Sequence, residues 1–153
     1  MGYGLGEEPC GALLHRNVNV LPFAGSASEL GYTDEEWKLV NETRKILDAP
    51  GVAVEPTCVR VPVMVGHSLA ASCWFSRPVG VEEAEALIQM APGVELWKDK
   101  VPTPLDCAGR DEVLAGRVRP TLGRPGGLSL WVVGDNLLKG AALNAVQIAE
   151  LVS

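Results

Sequence analysis

Basic clusters are missing from this sequence: its 13 lysines and arginines are scattered and outnumbered by 19 acids, giving a formal net charge of −6. Proteins that track a nucleic-acid backbone carry a basic stripe, so nucleic acid is not an expected partner. No apolar run approaches the roughly 18 residues a membrane span needs, so no membrane partner is expected either. The first residues, "MGYGLGEEPCGALLHRN", place acids and glycines where a signal peptide has a basic start and an apolar stretch, which points to a cytoplasmic protein. Four cysteines, Cys10, Cys58, Cys73 and Cys107, are widely spread with no pair at CxxC spacing. They read as reduced, mostly buried thiols, and because nothing brings His15 or His67 beside them no metal is expected. No GxGxxG opens a strand-to-helix unit and no GKS or GKT follows a glycine-rich turn, so neither nucleotide fingerprint is present.

What is present is an ordinary globular composition, 47% hydrophobic and 21% charged over 153 residues, enough chain for one domain with a sizeable core. Residues 1–17 read as a loose lead-in or linker, and the folded part is expected over 18–153, starting with a short strand "VNVLPF". In "TDEEWKLVNETRKIL" Thr33 caps a helix and Glu36 completes a capping box, with Trp37, Leu39, Val40, Ile46 and Leu47 as its apolar residues. "VAVEPTCVRVPVMV" and "LAASCWFSRPV" read as antiparallel neighbouring strands joined at Gly66 to Ser68. "VEEAEALIQMAPG" is a helix burying Ala84, Leu87, Ile88 and Ala91, and "VELW", "EVLAGRVRP" and "LSLWVVGDN" are further strands. A terminal helix in "LLKGAALNAVQIAELV" aligns Ala142, Val146, Ala149 and Val152. This order gives an α+β fold, a mixed and largely antiparallel sheet with helices on one face. Strands such as "LSLWVV" do not alternate, so covering the second sheet face calls for another subunit, a homodimer through the sheet, unless the chain covers both faces itself.

Among the polar residues, Arg60 lies in an apolar stretch, where its permanent charge needs an acid or a bound anion. Both a structural ion pair and a ligand site satisfy that need. His67 follows Gly66 at a strand end, a place for a turn residue or a catalyst. An unbroken strand would point Arg60 and His67 to opposite faces, since seven positions separate them; a shared site requires a bulge or turn at Pro62 or Gly66. Glu35 and Lys38 are neighbours in a first helical turn, and a solvated ion pair is their ordinary state.

Four ordered blocks, "GYTDEEWKLVNETRKIL", "TCVRVPVMVGHS", "VPTPLDCAGRDEVLAGRVR" and "LWVVGDNLLKGAALNAVQIAEL", resemble the C-terminal half of the bacterial aspartate-β-semialdehyde dehydrogenase family. The resemblance implies a catalytic and dimerisation domain folded like the C-terminal domain of glyceraldehyde-3-phosphate dehydrogenase. It also implies a part in NADPH-dependent conversion of β-aspartyl phosphate to aspartate semialdehyde and phosphate, on the way to lysine, methionine and threonine. Carried over by position, it makes Arg60 the holder of the substrate's α-carboxylate and His67 the acid/base partner of a catalytic thiol. Glu35 then receives the substrate ammonium, Lys38 assists phosphate, and Asn144 in "GAALNAVQ" contacts the nicotinamide of NADP. Chemically, a guanidinium suits a planar carboxylate, and an imidazole suits proton transfer near neutrality.

The family's N-terminal half, with its Rossmann domain for NADP, a phosphate-binding arginine and a cysteine nucleophile, has no counterpart in these residues. Cys58 matches a strand position and not the nucleophile's motif. The isolated chain is therefore expected to be inactive, with NADP bound mainly by the missing half. Its expected partners are a second copy, a nucleotide-binding half or full-length homologue, and a small-molecule substrate with phosphate. Three accounts fit: a fragment of a whole dehydrogenase, a non-catalytic dimerisation or interaction module, and half of a related semialdehyde or acyl-phosphate reductase. The intact "EEWK" and "RVPVxxGH" make the third the weakest.

Overall fold

An acidic N-terminus beginning at a threonine is what starts the first long helix, α1 (Asp34–Ile46), in a computed structural model that describes residues 19–153. The lead-in, Val18, Cys10 and His15 lie outside the described residues. The chain divides into two units, Met1–Pro62 and Val63–Ser153.

In the first unit the capping box forms as the sequence predicts. The Thr33 hydroxyl accepts the Glu36 amide at 3.3 Å while the Glu36 carboxylate accepts the Thr33 amide at 2.8 Å, and Arg44 and Lys45 complement the dipole at the far end. After α1 the chain turns at Asp48, whose φ is 47°, and returns along the helix. Arg44 donates to the Val52 carbonyl at 2.9 Å, and Tyr32 donates to Glu55. The apolar stripe is narrower than expected: Val40 is buried and Trp37 half-buried, lining a cavity of about 320 Å³ together with Val54 and Pro56, whereas Leu39, Ile46 and Leu47 are exposed. Only the face turned toward the returning segment is covered.

That returning segment is not a strand. "VAVEPTCVRVPVMV" was expected to pair with the following run, yet its β-type contact is a single antiparallel bridge, Leu21 with Arg60, made by two backbone bonds of 3.0 and 2.8 Å. Pro56 and Pro62 remove amide donors from what would be the ladder, which explains why the β-rich composition gives an extended, unpaired chain. The "VNVLPF" strand is likewise reduced, among the described residues, to the Leu21 bridge.

The second unit is built on a four-stranded sheet in the order β1-β4-β3-β2: β1 (His67–Trp74), β2 (Val94–Trp97), β3 (Val113–Pro120) and β4 (Gly127–Gly134). β4 pairs antiparallel with β1 over all eight residues and with β3, while β2 and β3 run parallel. The α+β class and the largely antiparallel sheet thus form as expected. β3 carries a bulge between Gly116 and Arg119, with Arg117 at φ 55°.

Helix α2 (Val81–Met90) covers the sheet face bearing Cys73, Leu128 and Leu130; Ala84 is its buried residue and Leu87 stays exposed. On the opposite face Trp97, Cys107, Leu114 and Val133 form the core with Trp131, whose indole donates to the Pro102 carbonyl at 2.9 Å. Short α3 (Pro104–Cys107) supplies Cys107. A π-turn (Leu138–Ala142) leads into α4 (Leu143–Val152), which buries none of its residues. The face that aligns Ala142, Val146, Ala149 and Val152 is exposed.

Gly116 shows how tightly β3 meets its neighbours. A β-carbon there would lie 2.8 Å from Pro102 Cδ and 3.1 Å from the Trp97 carbonyl oxygen. Gly116→Ala should lower stability by about 1–3 kcal/mol in urea unfolding with an unchanged slope. A change under about 0.5 kcal/mol would contradict this packing.

Candidate active site

The first turn of α1 presents Glu35 and Lys38 three residues apart, and they form the ordinary pair for that spacing: Lys38 Nζ donates to Glu35 Oε1 at 2.8 Å, both side chains being substantially exposed. This hydrogen bond, together with the attraction of Glu35, raises the Lys38 ammonium above its usual range, so the lysine is a firm cation at neutral pH. Such an exposed pair adds little stability and is free to exchange partners for a ligand.

The residue between them in the same turn has a different task. Glu36 is buried; one carboxylate oxygen accepts the Thr33 amide and the other accepts the Cys58 amide, also at 2.8 Å. The capping-box motif announced only the first bond. The second joins the helix start to the returning segment two residues before Arg60, whose backbone is in turn bonded to Leu21. Glu36 is therefore the residue that sequence reasoning undervalued, since the motif gives the bond within its own helix start and not the one to a segment 22 residues further on.

Arg60 itself is exposed, which corrects the expectation of a charge buried in an apolar strand. Among the described residues the carboxylate ion pairs are made by Lys38, Arg77, Lys98 and Arg110, so the guanidinium of Arg60 is not in that set. Val59, Val61 and Val63 beside it are also more than a third exposed.

His67 is the first residue of β1 and stands opposite Gly134 of β4. Its side chain is exposed. The chain enters the strand through Gly66, whose φ of 94° lies in the left-handed region that favours glycine. Asn144 is the second residue of α4 and is exposed, with its amide open to solvent.

The described thiols do not look like nucleophiles. Burial pushes Cys58, Cys73 and Cys107 all above the ordinary thiol range, and Cys107 is fully buried. Each is therefore a protonated thiol at neutral pH. Among the described residues no cluster of three or more His, Cys, Asp or Glu is placed to hold a metal ion, and no helix is long and apolar enough to cross a membrane.

Residues 13–139 match the family model described as semialdehyde dehydrogenase, dimerisation domain, and the chain belongs to that family. Its relatives are more particular. The aspartate-semialdehyde dehydrogenase of Streptomyces akiyoshiensis is 56% identical over 137 residues, covering 88% of this chain and 40% of the relative, and that of Mycolicibacterium smegmatis is 52% identical over 139 residues. Aspartate semialdehyde dehydrogenase II of Vibrio cholerae superposes with a TM-score of 0.84 at 45% identity, covering 87% of this chain and 40% of that one. The Candida albicans enzyme, solved with NADP, superposes at 0.67 with 25% identity. The chain thus spans about two fifths of the length of these relatives and corresponds to their C-terminal half.

Glu36 gives a pH test. The Cys58 amide first, and the Thr33 amide second, hold its carboxyl below the usual range. A depressed carboxylate stabilises the fold fully above its unfolded pKa and loses that contribution as pH falls through the folded value. Glu36→Gln keeps one acceptor for two buried amides and should cost about 1–3 kcal/mol at pH 7. The gap from the unsubstituted chain, followed by urea unfolding, should shrink from about pH 5 downward. A gap that grows on acidification would contradict the assignment.

Proposed function

We propose that this chain supplies the substrate-binding and proton-transferring half of an NADP-dependent aspartate-semialdehyde dehydrogenase. The observation that carries the reading is the intact pair of motifs, "EEWK" at the start of α1 and "RVPVMVGH" running into β1, in a chain of this family. In the biosynthetic direction the reaction takes β-aspartyl phosphate and a hydride to aspartate semialdehyde and phosphate. NADPH, when bound, supplies that hydride.

This chain's own residues orient the substrate and move a proton. Arg60, an exposed guanidinium outside the ion pairs of the described residues, offers two parallel donors to the α-carboxylate. Glu35 receives the ammonium group, leaving Lys38 to the phosphate oxygens; the ion pair seen between them is the resting arrangement that the substrate's own charges replace. His67 protonates the developing oxyanion and takes the proton back in the reverse direction. Asn144, with a free carboxamide near the start of α4, fits a hydrogen-bonding contact to the nicotinamide amide.

The nucleophile comes from the nucleotide-binding half, since the three described thiols are held protonated by burial. These 153 residues accordingly do not turn over alone. They form a homodimer through the sheet, which covers exposed apolar side chains of β1 such as Leu69. The dimerisation-domain description of the family favours one alternative, a non-catalytic interaction module. Mixing the chain with a separately made nucleotide-binding half separates the two: recovered turnover supports the dehydrogenase half, and stable dimers without turnover support the module.

In such a reconstituted enzyme His67→Asn should lower kcat by about 10²–10⁴-fold with little change in KM. Arg60→Leu should lower kcat/KM by about 10–100-fold and raise KM for the semialdehyde. Unchanged kcat in the His67 variant would remove its assigned role.

A further inference from the structure

We propose that Asn136 is a positioning residue for His67: its side-chain oxygen holds the Gly66 peptide and so fixes the point at which His67 enters the sheet. The proposal rests on the reading of His67 as the proton-transfer residue. Its observations all lie in the second unit.

His67 needs such support because of where it sits. β1 is an edge strand with β4 on one side only, and His67 is its first residue, so backbone pairing with Gly134 reaches it from a single direction. The residues before it, from Val63 on, belong to no strand. A histidine at a free strand end samples many directions, and proton transfer requires it to hold one.

Gly66 is the hinge of that entry. Its φ of 94° favours glycine, and an added β-carbon would meet Cys107 Sγ at 3.0 Å and the Gly134 carbonyl oxygen at 3.3 Å. The peptide is thus pressed onto the buried Cys107 and the end of β4. Its amide donates to Asn136 Oδ1 at 3.2 Å, a contact between residues seventy apart in sequence.

Asn136 is itself firmly presented. The preceding residue, Asp135, is buried, and its carboxylate accepts three backbone amides: Gly109 at 2.9 Å, Leu137 at 2.9 Å and Leu138 at 3.3 Å. Those bonds, the Gly109 amide foremost, hold the carboxyl below its usual range, so it stays an acceptor at neutral pH. Asp135 therefore locks the turn after β4, and Asn136 carries that rigidity across to Gly66. Three pieces of chain meet there: the entry to β1, the loop after α3 and the exit from β4.

The test uses the 153-residue chain and, for kinetics, the chain combined with a nucleotide-binding half. In the unaltered chain the Gly66 amide should be protected from hydrogen exchange; free exchange overturns the proposal with no variant needed. Asn136→Ala should raise Gly66 exchange at least about tenfold and change the cross-relaxation contacts of the His67 ring. In the reconstituted enzyme it should lower kcat by about 10–100-fold with KM for the semialdehyde within about twofold. Asn136→Asp, which keeps an acceptor oxygen, should restore both readouts, and Asn136→Leu, close in size but without an acceptor, replaces the alanine variant should that one not fold. An alanine variant with unaltered Gly66 exchange and His67 contacts, or a kcat loss that the aspartate does not rescue, overturns the proposal. Should His67→Asn retain full kcat, the catalytic reading falls, while exchange and ring contacts still decide whether Asn136 sets the position of His67.

Discussion

Strand β4 is hydrogen-bonded along both edges, and the second unit depends on that double pairing. β1 reaches the sheet only through β4, in a register that sets His67 against Gly134, and β3 joins from the other side. The alternate residues of β4 serve both layers: Leu128 and Leu130 face α2, while Trp131 and Val133 meet Pro102 and Cys107. A strand used on both faces cannot alternate apolar with polar, which is why "LSLWVV" is nearly continuous in hydrophobicity. Its exit, Gly134 to Asn136, is where the sheet's geometry is passed to the segment that carries the histidine.

A comparable constraint organises the first unit around one buried carboxylate. Glu36 caps its own helix and captures the Cys58 amide, so the first turn of α1 and the segment leading to Arg60 are held by the two oxygens of a single side chain. Glu35 and Lys38, on either side of it, take no part in that load and pair with each other at the surface. Burial of the middle acid and exposure of its neighbours follow from helical spacing: Glu36 points toward the returning chain, and the other two point away from it.

Much of this was legible in the sequence, since helices and strands with local signals lie where those signals put them. The capping box, the stop at "APG" and the turn glycines each report on their own neighbourhood. What failed depended on partners distant in sequence. The valine-rich stretch 52–65 has strand composition, but β propensity measures fit to a neighbouring strand, and none among the described residues pairs with it beyond Leu21. The apolar residues of α4 lie along one face as their spacing predicts, and that face is exposed in this chain. For the candidate site, motif resemblance named the residues, and geometry added what motif cannot: Arg60 outside the described ion pairs, Lys38 and Glu35 resting on each other, and described thiols that burial keeps protonated at neutral pH.

These features describe a member of the semialdehyde dehydrogenase dimerisation-domain family, whose residues we propose bind, orient and exchange a proton, with the covalent and hydride chemistry supplied from elsewhere. The most direct test of that division is phosphate-dependent NADPH formation by the purified chain, given aspartate semialdehyde, NADP and phosphate. No activity above background, with turnover appearing once a nucleotide-binding half is added, is the predicted result. Turnover by the chain alone would contradict the account, because one of its own cysteines would then have to be the nucleophile.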